Sequence, residues 1–157
     1  RRKAAVWNSR SNSRWPDVAD IVDRATRSRM MSGIRGSHTK PELRVRSHLH
    51  RAGLRFSLHG RNLPGRPDLV LSKWDAVVFV HGCFWHGHQC ARGARMPKTN
   101  RAYWQAKIAR NMARDAASLA SLRKLDWKPA VIWECETKDA AKLPRLITRR
   151  VGKRAQA

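Results

Sequence analysis

The sequence predicts an α/β domain with a mixed central β-sheet flanked by helices, and three observations lead there. Two apolar, β-branched runs, DLVLSKW and AVVFVHG, follow each other with almost nothing between them, which reads as a hairpin. A third such run, KPAVIWEC, comes after a long stretch of helical periodicity from about 100 to 125. Further helical stretches open and close the chain. The order is helix, strand, strand, strand, helix, strand, helix, with no internal repeat. With 157 residues, 41% of them apolar, one domain can bury a real core.

Each element has a local cause. Residues 1–16 (RRKAAVWNSRSNSRWP) are basic, rich in Ser and Asn, and without period, so they read as a flexible arm. The domain is expected over 17–150, with a basic tail over 151–157. DVADIVDRATRSRMM, 17–31, has helical spacing and is broken by GIRGSH. Thr39 is a candidate cap for a helix that starts at Pro41-Glu42, turns Leu43, Val45 and Leu49 inward and ends at Gly53. RFSLHGRNLPGRP reads as a short strand and a tight loop that leads into the hairpin. On the long helix Ile108, Met112, Ala116, Leu119 and Leu122 form the expected core stripe. LPRLITRR closes the domain as a short helix.

Charge narrows the function classes. Lys plus Arg number 34 against 11 Asp plus Glu, a net +23. A field of that sign gathers polyanions, and nucleic acid is the natural partner. A membrane surface fits less well, because no basic helix with a broad apolar face stands out. No apolar run reaches the length of a membrane span and no signal-peptide core is present, so a cytoplasmic, nucleoid-associated protein is expected. The chain opens at Arg1 rather than Met, which reads as an initial segment missing or trimmed. Three cysteines are an odd count and argue against a disulfide framework.

Chemistry concentrates in HGCFWHGHQC, residues 81–90. Cys83, His88 and Cys90, closed by the distant Cys135, match a tetrahedral Cys3His zinc site and use every cysteine. Spacing alone admits His86 in place of His88, and three buried thiols beside unrelated histidines is the bland alternative. A closed four-ligand shell makes the zinc structural. Asp68 opens a strand behind the rigid PGRP turn. It either caps that turn or, as in the restriction-endonuclease-like nuclease core that this pattern resembles, holds Mg2+ against the scissile phosphate. In that core a lysine ends the second strand; here His81 stands in its place. His81 and His86 are then free for proton transfer at neutral pH.

Trp104, Lys107, Asn111 and Asp115 share one helix face. Asp115 has no ion-pair partner on its own helix and is either solvated or orients a catalytic histidine. Phe84 and Trp85 are adjacent and cannot both point into one core. They read as wedges for base steps, with Trp104 and Met31 joining from other elements, unless one packs over the thiolates.

PGRPD, FVHGCFWHGHQC, YWQAKIARNMARD and VIWEC, in one order from about 23 to 137, closely resemble the very-short-patch repair (Vsr) endonucleases. The resemblance implies a Mg2+-dependent, strand-specific nick 5′ of the thymine in a T:G mismatch that arises from deaminated 5-methylcytosine. It implies Asp68 and the Val80 carbonyl as Mg2+ ligands, His86 as the base, Asp115 as its orienter, His81 at the phosphate and Glu42 in the active site. It also implies Cys83, His88, Cys90 and Cys135 on structural Zn2+. Met31, Phe84, Trp85 and Trp104 fall in the intercalating set, with Lys107 and Asn111 near the mismatched bases. A monomer acting on mismatched duplex DNA is implied too, functionally linked to a DNA cytosine methyltransferase and to mismatch-repair proteins. Val80 replaces a threonine frequent in the family, and Gly87 and Gln89 replace further histidines. One extra residue lies between Cys90 and Pro97, and both basic extensions are unmatched. The sequence leaves two other readings open: a non-catalytic zinc-stabilised DNA-binding module, and a nuclease of the same fold that cuts matched DNA.

Overall fold

The computed structural model describes residues 37–151 without a break, together with Asp23, Ala25, Thr26, Arg29 and Ser32. The chain divides into two units, 1–33 and 34–157, and the sheet with its helices belongs to the second. The expected arm, most of the expected helix over 17–31, the wedge residue Met31 and the tail over 152–157 lie outside the described residues.

Four strands form one sheet in the order β1-β2-β3-β4: β1 (Ser57–Leu58), β2 (Leu69–Leu71), β3 (Ala76–His81) and β4 (Lys128–Trp133). The first three are antiparallel neighbours, and β4 runs parallel to β3, so the sheet is mixed as expected. A parallel partner requires a crossover, and the 24-residue helix α2 (Arg101–Lys124) supplies most of it. Helices α1 (Lys40–Arg51) and α3 (Leu143–Val151) complete the element order read from the sequence.

Alternation along the strands assigns the two faces. Leu69, Leu71, Ala76, Val78, Ala130 and Ile132 meet Val45 and Leu49 of α1 and Leu143, Ile147 and Val151 of α3. Val70, Val77 and Phe79 meet Leu122 of α2 on the opposite face. Helices on both faces explain why β3 reads as a continuous apolar run. Leu49 is fully buried, and truncating it to alanine is expected to cost about 2–5 kcal/mol.

Three packing expectations are corrected. Leu43 is 50% exposed, because the buried face of α1 runs through Glu42, Val45 and Leu49 and leaves Leu43 a quarter-turn away. Met112 is 48% exposed and Ala116 is exposed as well. That side of α2 faces the loop after β3 and a small cavity instead of the sheet, so only Ile108 and Leu122 of the stripe are buried. The closing helix also runs one residue further than expected, with Val151 buried in it.

Candidate active site

The register of β3 and β4 builds the site. His81 pairs with Trp133, so two residues further along each chain Cys83 and Cys135 emerge side by side at the same end of the sheet. The Cys135 N–H donates to Cys83 Sγ at 3.4 Å across that junction. Donor atoms of Cys83, His88, Cys90 and Cys135 all lie within 4.8 Å of one another and can hold a metal ion. A tetrahedral ion with bonds of about 2.0–2.3 Å separates its ligands by about 3.3–3.8 Å, so small side-chain shifts close the shell. The donor chemistry fits zinc, with three sulfurs and an imidazole.

The thiols are unequal. Burial pushes Cys83 up to about 12, while the Gly93 N–H, at 3.3 Å from Sγ, and His88 bring Cys90 down to about 6. Gly93 has to be glycine for this approach, because a Cβ there would overlap the His88 carbonyl oxygen. Trp133 stacks on His88 at 4.3 Å and 18° and meets His81 edge-on at 5.5 Å. The ring that packs over the His88 imidazole is therefore Trp133. The turn that carries Cys135 is pinned by Glu136, which accepts from the Trp133 N–H at 2.9 Å and pairs with Arg150 of α3 at 2.6 and 2.8 Å.

The same loop faces α2 at successive turns. Trp104 meets Phe84 and Trp85 edge-on at 5.7 and 5.9 Å. The Lys107 ammonium lies 5.4 Å from both tryptophan rings and 5.8 Å from Tyr103. The Asn111 amide donates to the Trp85 carbonyl at 2.9 Å. Asp115 then receives His86 Nδ1 at 2.5 Å. Gly87, in the left-handed region at φ 64°, lets the loop come this close: a Cβ there would stand 2.5 Å from Met112 Sδ. The choice between the two histidines that spacing left open is made by this arrangement, with His88 among the thiols and His86 on α2.

Asp68 comes from the other side. It precedes β2 directly, and one carboxylate oxygen accepts the Val80 N–H at 2.7 Å, which brings it to the end of β3. Burial raises its pKa; the Val80 N–H lowers it, and neighbouring Glu42 raises it. A cavity of about 940 Å3 gathers Asp68, Glu42, Val80, His81, Trp85, His86 and Asp115 on its walls, with Arg92 and Glu134 at 3.3 Å from each other. A part-buried carboxylate with one oxygen bonded, sharing a cavity wall with a second carboxylate, suits a hard cation with oxygen ligands. His81 stacks on His86 at 3.8 Å and 10°, and burial and the neighbouring His86 bring it down to about 4. It is neutral at pH 7. A neutral ring beside a carboxylate-bound histidine allows that histidine to take a proton without facing a second positive charge.

Sequence reasoning passed over Trp133, Gly93, Glu136 and Arg46. Only Trp133 carried a signal, as an aromatic two residues from the distal cysteine.

Comparison with known proteins adds a family to this geometry. The family model described as DNA mismatch endonuclease Vsr matches residues 19–92. A type II nicking enzyme, V.XorIIP of Xanthomonas oryzae pv. oryzae, is 44% identical over 126 residues, 80% of this chain and 92% of the relative. V.NmeAIP, a type II nicking enzyme of Neisseria meningitidis, is 42% identical over 134 residues, covering 83% and 95%. The DNA mismatch endonuclease Vsr of Escherichia coli is 40% identical over 126 residues, 80% of each chain. Similarity of that extent, in a basic chain whose histidine–aspartate pair and paired carboxylates share one cavity, removes the non-catalytic alternative: this chain is a DNA endonuclease and belongs to the Vsr family of DNA mismatch endonucleases.

Proposed function

We propose that the chain nicks one strand of duplex DNA 5′ of the thymine in a T:G mismatch left by deaminated 5-methylcytosine, and that the reaction needs Mg2+. The observation that carries this reading is the 2.5 Å hydrogen bond between His86 and Asp115 on the wall of the cavity that also holds Asp68. A carboxylate can only accept, so Nδ1 carries the proton and Nε2 keeps its lone pair. His86 is then the base that takes a proton from the attacking water, and Asp115 holds its tautomer. His81, neutral at pH 7, offers the phosphate a hydrogen bond without charge. Asp68 and the Val80 carbonyl hold the divalent cation, with Glu42 beside them; when bound, that cation neutralises charge building on the phosphate. Glu42 has a second task, since its carboxylate accepts the His38 N–H at 2.9 Å and the Thr39 hydroxyl at 3.0 Å at the start of α1.

Phe84, Trp85 and Trp104 form the wedge that opens the stack at the mismatch, where unstacking costs least. Met31, the remaining candidate for the intercalating set, lies outside the described residues. Lys107 and Asn111 then lie near the displaced bases. Zn2+ on Cys83, His88, Cys90 and Cys135 is structural and clamps the loop that presents wedge and base together. That relatives carry the name nicking enzyme supports a cut on one strand and suits a monomer. The substrate implies a functional link to a DNA cytosine methyltransferase.

Matched T:A and mismatched T:G duplexes of otherwise identical sequence test the proposal. Mg2+-dependent nicking of the T:G duplex alone is expected, mapped 5′ of the thymine. Equal cleavage of both duplexes, or cutting of both strands, overturns the mismatch assignment. Asp68→Ala should lose nicking and keep DNA binding.

A further inference from the structure

The buried guanidinium of Arg46 has no part in the mechanism above, yet it stands against the acidic wall of the cavity. Its Nη2 contacts Glu42 at 2.9 Å, with side-chain exposures of 11% and 4%. Its Nη1 meets His38 Nδ1 at 2.9 Å. Its Nε is buried without a hydrogen-bond partner among the described residues. Burying a charge with one donor unbonded is costly, and a helix-surface pair four residues apart does not require it. Two carboxylates, Glu42 and Asp68, line the cavity; Arg46 bonds the first, and its positive charge offsets a small part of the upward shift that burial gives the second. Arg46 is one of three restraints on Glu42, which also accepts from the His38 N–H and the Thr39 hydroxyl.

We propose that Arg46 is a positioning residue of the cation site: its guanidinium is the resident counter-charge of the Glu42–Asp68 pair, holding Glu42 on the cavity wall and moderating the hold on a divalent cation. The inference rests on the proposed cation role of Asp68. A fixed positive charge beside two carboxylates competes with an incoming cation for the same field. Affinity for the cation without DNA is thereby kept modest, and the negative phosphates of bound DNA restore the attraction. Cation loading is in this way linked to substrate.

Mn2+ is the probe, titrated into zinc-loaded protein without DNA and followed by the electron paramagnetic resonance signal of the free ion. Arg46→Met is expected to tighten Mn2+ binding about three- to tenfold while lowering single-turnover nicking, because Glu42 loses one of its restraints. Arg46→Lys, which keeps the charge, is expected to stay within about twofold of the parent in Mn2+ affinity. Opposite movements of affinity and rate separate this role from a structural one, in which Arg46→Met lowers the melting temperature and leaves affinity unchanged or weaker. Arg46→Gln repeats the test if the methionine variant fails to fold. Unchanged or weaker Mn2+ binding in a folded, charge-free variant overturns the inference. Asp68→Ala is the control for the reading beneath it: if Mn2+ binding survives that change, the cation role of Asp68 fails, whereas loss of binding there with no gain in the Arg46 variants refutes this inference alone.

Discussion

Asp115→Asn is the sharpest perturbation of the proposed chemistry, because it removes one charge and almost no volume. In the parent, His86 Nδ1 and Asp115 lie 2.5 Å apart, with side chains 23% and 21% exposed. A hydrogen bond to a charged group in that setting contributes about 1.5–3 kcal/mol. If that stabilisation is realised as the imidazole gains its proton, its loss slows the chemical step by about 10- to 150-fold, at about 1.4 kcal/mol per decade. The amide can also turn over and donate to Nδ1. That puts the ring proton on Nε2, where the lone pair is needed, and the loss then approaches about 10⁴-fold. DNA affinity should change little, since the Asp115 carboxylate is engaged by His86. Single-turnover nicking of a T:G duplex with enzyme in excess measures the first quantity, and fluorescence anisotropy with the cation withheld measures the second. A nicking rate within about threefold of the parent refutes the orienting role. So does a rate loss matched by an equal loss of binding.

Four other outcomes are expected. Burial raises the Asp68 pKa in the fold, so its ionised form opposes folding; the opposition is absent below about pH 3.9 and grows as pH rises through the raised folded value. Asp68→Asn should therefore raise the melting temperature at pH 7 and not at pH 3, which thermal scans across pH will show, while nicking is lost. Zinc binding must expel a proton from Cys83, pushed up to about 12, so affinity for the Co2+ surrogate should weaken as pH falls, read from the thiolate-to-metal absorption. Chelating the metal should lower the melting temperature, and an unchanged value would deny the site its structural role. With a net charge of +23, DNA binding should weaken steeply with salt, and a flat log–log plot would remove phosphate contacts as its basis.

The fold class and strand order were legible because sheet burial writes itself as apolar runs, and hairpin and crossover are read from the spacing between them. Leu43, Met112 and Ala116 were misjudged for a physical reason: periodicity identifies a face, and only tertiary structure decides what covers it. The three thiols that the fold gathers at the candidate metal site were legible because three cysteines close the account. Spacing could not separate His86 from His88, since a turn has no period; the family resemblance implied the division, and the structure puts His88 beside the thiols and His86 against Asp115 of α2. Arg46 stayed hidden because a Glu and an Arg four residues apart look like any exposed helix pair. Its significance lies in burial and in Asp68, 22 positions further along the chain.

One helix face joins the two halves of the proposed reaction. Trp104 and Asp115 are 11 residues apart on α2, which at about 1.5 Å per residue is a rigid span of roughly 16 Å. Between them Lys107 and Asn111 hold the rings and backbone of the loop, so the aromatic cluster and the His86 imidazole move as one body. A loop free to adjust could open the base stack without bringing Nε2 to the phosphate, or reach the phosphate on an undistorted duplex. Held along α2 by these contacts, and by the proposed zinc on Cys83, His88, Cys90 and Cys135, it can do neither separately. Under the proposed function, coupling of base opening to hydrolysis then needs no conformational signal: a duplex too well paired to admit the wedge would not present its phosphate to the base, and discrimination would be set by the cost of unstacking.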